Sequence, residues 1–121
     1  MINGVLIAES LRVGAVLDDP RLTITAMRRV RPGGTTDAQP AVWTLIDFAA
    51  EDSETDRLAS SFADALDDPG WYADFRTDAE TFVVYPGRIF RYPRGDSAGR
   101  TAAQRYGRAL GIPEEQLDWP A

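Results

Sequence analysis

Apolar and polar residues alternate with a period that changes several times along the chain, and each change marks an element. Residues 22–30, LTITAMRRV, alternate and are rich in β-branched types, as are residues 42–48, VWTLIDF, so both read as strands. Between them runs Arg31-Pro32-Gly33-Gly34-Thr35-Thr36-Asp37-Ala38-Gln39-Pro40, a loop by composition, which predicts a long hairpin with a mobile tip. An earlier short strand is predicted at Val5–Glu9. The stretch Leu11–Leu17 stays ambiguous because Gly14 interrupts its alternation.

The period then lengthens. Leu58, Phe62 and Leu66 recur every fourth residue with Ala59 and Ala63 beside them, predicting a helix from about Ser53 to Leu66. Ser53 is the expected N-cap, and Glu54 and Asp56 lie in the first turn, where the helix dipole favours negative charge. Pro69-Gly70 ends the segment. A second helix is expected from Asp96 or Ser97 to Gly111, with Ala98, Ala102, Tyr106, Ala109 and Leu110 along its apolar stripe and Gly111-Ile112-Pro113 as a stop signal. Leu117 and Trp119 should dock the tail.

Between the helices, WYADFR, TFVVY and RIFRY read as a three-stranded meander separated by two turn signals. Tyr85-Pro86-Gly87-Arg88 places proline and glycine where a type II turn wants them, and Thr77-Asp78-Ala79-Glu80 is a polar connection. These turns pair Arg76 with Thr81 and Tyr85 with Arg88. Trp71, Ala73, Phe75, Phe82, Val84 and Ile89 then share the core face. Tyr72, Asp74, Arg76, Val83, Tyr85, Arg88, Phe90 and Tyr92 share the other. The predicted fold is a single α+β domain over residues 1–121, with antiparallel strands in the order β-β-β-α-β-β-β-α and two helices packed on one sheet face. One sheet or two is left open by the pattern.

Composition narrows the chemistry. There is no His, no Cys and no Lys among the 121 residues, and all 13 basic residues are Arg. That removes imidazole bases, thiol nucleophiles, Schiff-base chemistry and the lysine of a phosphate-binding loop. No cofactor and no metal are expected, since Asp64, Asp67 and Asp68 lack the spacing of a cation-binding loop. The absence of cysteine fits a reducing compartment, and the apolar run Val5–Ala8 is too short for a signal peptide or a membrane span, so a cytoplasmic protein without a membrane partner is expected.

A net charge of −6 argues against general affinity for nucleic acid, although the charge is uneven. Residues 51–82 carry two Arg against ten acids, and residues 83–121 six Arg against four. The basic end should mainly answer the acidic middle.

The runs Pro69-Gly70-Trp71-Tyr72-Ala73-Asp74-Phe75, Tyr85-Pro86-Gly87-Arg88-Ile89-Phe90 and Tyr106-Gly107-Arg108-Ala109-Leu110-Gly111-Ile112-Pro113 resemble a family of uncharacterised small bacterial proteins. The resemblance spans roughly residues 69–119 and implies a shared fold but no activity.

Two surfaces stand out as candidate sites. The first is the second meander face, where Tyr72, Asp74, Tyr85, Arg88 and Tyr92 are suited to a planar ligand, a carboxylate or a partner chain. The second is an anion pocket at the start of the second helix, formed by Arg94, Ser97 and Arg100. With no catalytic toolkit, the expected function is a non-catalytic binding or protein-interaction module that associates with itself or with another protein. The alternative is a binder of an anionic small molecule, or an enzyme, in which Asp74 acts beside Tyr72 while Arg88 orients the ligand.

Overall fold

The computed structural model describes residues 1–121, and its elements run β1 (Ile2–Ile7), β2 (Thr23–Val30), β3 (Trp43–Ala50), α1 (Thr55–Ala65), β4 (Ala73–Arg76), β5 (Glu80–Tyr85), β6 (Arg88–Pro93) and α2 (Ser97–Ala109). The two turns of the meander set its register as their chemistry requires, pairing Arg76 with Thr81 and Tyr85 with Arg88. The long hairpin joins β2 to β3 antiparallel, with one irregularity between Ile24 and Ala26. All six strands form one antiparallel sheet in the order β2-β3-β1-β4-β5-β6, giving the expected α+β fold.

β1 joins the two halves. It begins at Ile2 rather than Val5, because its first residues pair with Ala50 and Ala49 of β3 on one side and its Asn3 with Arg76 of β4 on the other. At its centre stands Gly4, where an added Cβ would lie 2.6 Å from both the Phe48 ring and the Phe75 side chain. Only glycine lets those aromatic groups close over the strand.

Side chains alternate along β5, and the alternation decides where the helices lie. Phe82 and Val84 join Leu58, Ala59 and Phe62 of α1 in one buried cluster, together with Ile2, Leu6, Phe48 and Phe75. Val83 and Tyr85 join Ala103 of α2, Ile112, Leu117 and Trp119 in another. Neighbouring residues of a strand point to opposite faces, so α1 and α2 cover opposite faces of the sheet. The expectation that both helices share one face is corrected by this parity: the second meander face is as apolar and aromatic as the first, and it too needs a cover.

Both helices depart from their sequence reading in detail. Ser53 lies inside a short 3-10 turn, Asp52–Glu54, and α1 starts one residue later without a side-chain cap. α2 is capped by Asp96, but its buried residues are Ala103 and Gly107, not the alanines at 98, 102 and 109. Glycine explains the rotation. A Cβ on Gly99 would meet Tyr92 at 2.5 Å, and one on Gly107 would meet the Tyr85 hydroxyl at 2.5 Å. The docking stripe is therefore Gly99, Ala103 and Gly107, three small residues that let the helix backbone press onto two tyrosines.

The β2–β3 loop is anchored rather than free. Gln39 and Gln116 exchange two amide hydrogen bonds, of 3.1 and 2.8 Å, while Gln39 also donates to the Gly70 carbonyl and Gln116 to that of Gly34. This clasp ties the loop to the C-terminal tail.

Candidate functional site

α2 and the tail cover only the β4–β6 half of their face. Over β1 and β3 the same face has no helix, and there a groove of about 330 Å³ opens. Its floor is built by sheet register: Val5 lies beside Asp74 of β4, and Ile7 beside Leu45 of β3. Val30, Pro32 and Gly33 of the β2–β3 hairpin, and Glu115, Gln116 and Asp118 of the tail it touches, line its sides. Trp43 and Trp71, with ring centroids 5.2 Å apart, line it too.

Asp74 is the principal polar group of this apolar floor. Its side chain is 17% exposed, and Arg76 is its ion-pair partner, through Nη1 at 3.8 Å. That separation gives attraction without a hydrogen bond. Burial raises the Asp74 carboxyl to about 6, Arg76 opposes the rise, and Asp118 across the groove adds to it. Three carboxylates, Asp74, Glu115 and Asp118, line the groove, and no arginine does.

Tyr72 lines the groove as well, but its hydroxyl donates to the Gln116 carbonyl, which holds the tail in place. Burial first, then the charges of Asp74 and Asp118, push the phenol far above its ordinary range, so the hydroxyl keeps its proton.

The other residues of the second meander face lie elsewhere. Tyr85 is fully buried and donates to the Ala103 carbonyl at 2.7 Å; Tyr92 is 5% exposed and accepts from the Trp119 indole N–H at 2.7 Å. Both are internal supports of α2 and the tail. Arg88 stacks over Phe90 and Tyr106, with its guanidinium 4.8 and 5.5 Å from the ring centroids. The structure thus brings Tyr72 and Asp74 together and leaves Arg88 over Phe90 and Tyr106, outside the groove lining.

The second candidate is closed in another way. At the start of α2 the Asp96 carboxylate already accepts from the Ala98 and Gly99 amides, at 3.1 and 3.2 Å. Ser97 and Arg100 share a hollow of about 100 Å³. Arg100 lies over the Trp119 ring at 5.7 Å, and Arg94 reaches the Thr77 carbonyl instead. An incoming anion would meet a carboxylate, not free amides.

The sequence pattern puts Tyr72 and Asp74 on one sheet face but does not mark the groove floor. A signal was present: β1 carries Val5 and Ile7 on one parity and Ile2 and Leu6 on the other, and β3 carries Leu45 opposite Ile46 and Phe48. Apolar residues on both parities indicate a strand with two apolar faces. No group of three or more His, Cys, Asp or Glu side chains comes together to hold a metal ion, and no helix is long and apolar enough to cross a membrane. In comparisons with protein-family profiles, curated proteins and solved structures, nothing matches this chain.

Proposed function

We propose that this protein is a non-catalytic cytoplasmic binding module and that its ligand occupies the Asp74 groove. One observation carries the proposal: a concave, apolar-floored site holds a largely buried carboxylate whose only charged partner stands beyond hydrogen-bond distance. Such a pocket with one oriented polar group is the general form of a small-ligand site, and about 330 Å³ lies at the lower end of the roughly 300–1,000 Å³ typical of them. The ligand is therefore small, or a single side chain of something larger. The side-chain inventory favours recognition over turnover, because the tyrosine beside Asp74 is committed to the tail and Arg88 stands apart.

The test is to map binding of a mixed set of cationic, neutral and anionic fragments by amide NMR. Shifts should gather at Val5, Ile7, Leu45 and Asp74, and Leu45→Trp, which fills the groove from its floor, should abolish them. Shifts confined to the Tyr92–Arg100 hollow would overturn the assignment.

A second reading, self-association, is favoured by the β2 edge of the sheet. The irregularity in β2 brings Ile24 and Met27 onto one face, where they are 52% and 63% exposed. An antiparallel second copy would set the Ile24 of each against the Met27 of the other. Sedimentation tests it: a dimer that Met27→Lys dissociates supports pairing at this edge, and a monomer at every concentration removes it.

A further inference from the structure

We propose that the Asp74 groove is selective for a monocation on an apolar stem, an alkylguanidinium or alkylammonium group, rather than for an anionic or neutral ligand. The inference rests on the groove being the binding site and adds the charge its ligand must carry.

Asp74 meets groups from its own strand and from the tail. Arg76 approaches it from the same strand, Asp118 from the tail, and the Tyr72 hydroxyl is turned to the Gln116 carbonyl. The Tyr92 hydroxyl from β6 is near enough to feel its charge but is bonded to Trp119. Two strands away, Asp47 is occupied by a two-pronged pair with Arg28, both bonds 3.1 Å. Arg76 alone is cationic beside Asp74, and it screens the carboxylate without bonding to it. The acceptor lone pairs of Asp74 are thus left for a donor that enters through the groove.

Shape points the same way. A planar guanidinium presents paired N–H donors that match a carboxylate, and a stem of a few methylenes matches the floor of Val5, Ile7 and Leu45. A carboxylate or phosphate ligand would face Asp74, Glu115 and Asp118 with no lining arginine to receive it. A neutral ligand would leave the largely buried Asp74 charge uncompensated. A cation answers that charge and the whole molecule's excess of acid together.

Three probes of one shape separate the possibilities: butylguanidinium, its neutral isostere butylurea, and pentanoate, titrated at pH 7.5 into the wild type, Asp74→Asn and the control Asp56→Asn, which lies on α1 at the opposite face. Butylguanidinium should bind the wild type and Asp56→Asn at least tenfold more tightly than butylurea does, pentanoate should not bind, and Asp74→Asn should erase the difference while still binding butylurea. If butylurea or pentanoate shifts the groove resonances as strongly as butylguanidinium, charge selectivity is overturned and the groove remains a binding site. If no probe shifts them at millimolar concentration, both fail. N-acetylarginine N-methylamide and butylguanidinium, both monocations, then distinguish sources: tighter binding of the capped residue assigns the cation to a partner protein's side chain, and tighter binding of butylguanidinium to a free small molecule. Either preference supports the cation.

Discussion

Asp74 makes the fold weaker at neutral pH. Its carboxyl is raised by burial to about 6 from an ordinary 3.8, so the folded state favours the neutral acid. A folded-state value above the unfolded one means that ionisation costs stability once the pH exceeds 6, by roughly 3 kcal/mol for a difference of this size. The cost fades as the pH falls from about 6 toward 3.8. Asp74→Asn should therefore stabilise the protein at pH 7.5 by about 1–3 kcal/mol, with the gain shrinking toward zero by about pH 4. Urea unfolding at the two pH values measures it, and a loss of stability at pH 7.5 would mean that Asp74 is structural. Glu9, which burial alone would raise but which the Thr44 amide and hydroxyl hold below the usual carboxylate range, is common to both proteins and cancels in the comparison. A carboxylate that costs the fold stability fits a group that serves binding rather than structure.

Among the elements, α2 inverts a common rule. Alanine for glycine inside a helix ordinarily gains up to about 1 kcal/mol, but at Gly107 the new methyl would meet the Tyr85 hydroxyl at 2.5 Å and Leu117 at 2.8 Å. Overpacking a buried contact typically costs about 1–3 kcal/mol, so Gly107→Ala should lower the unfolding free energy in denaturant, and a rise would show that α2 docks less closely. The β2–β3 loop and the tail share the Gln39–Gln116 clasp in the same way. Gln116→Ala removes two hydrogen bonds with Gln39 and one to the Gly34 carbonyl, while Gln39 keeps Thr36 and Gly70; it should leave the amides around Thr36–Gln39 faster in hydrogen exchange, with a loss of about 1–3 kcal/mol. The meander was legible in the sequence because its turns, Tyr85-Pro86-Gly87-Arg88 above all, fix pairing locally. The face of α2 was not legible, because periodicity weighs apolar side chains and the contact is made by glycines. The clasp was hidden for a related reason: its partners stand 77 residues apart, and glutamine carries no local signal of burial.

The whole molecule is a single sheet with each face treated differently. α1 closes one face over a network of phenylalanines, in which Phe75 stacks on Phe82 with centroids 4.7 Å apart. The other face is half closed, by α2 and Trp119, and half open over β1 and β3. Sequence pattern located the second meander face as special but could not tell its covered residues, Tyr85 and Tyr92, from its open one, Asp74, since that division depends on where α2 ends and the tail turns. The charge pattern was partly readable. The acidic residues of the tail, Glu115 and Asp118, are distant from Asp74 in sequence and meet it only through the fold.

The most direct test of a carboxylate awaiting a cation is the carbon-13 titration of the Asp74 carboxyl, alone and with saturating butylguanidinium. The midpoint should lie near 6 in the free protein and fall toward 3.8 or below with the cation bound, because the paired charge favours ionisation. A midpoint at the ordinary carboxylate value in the free protein, or one that the cation leaves unmoved, would contradict the account.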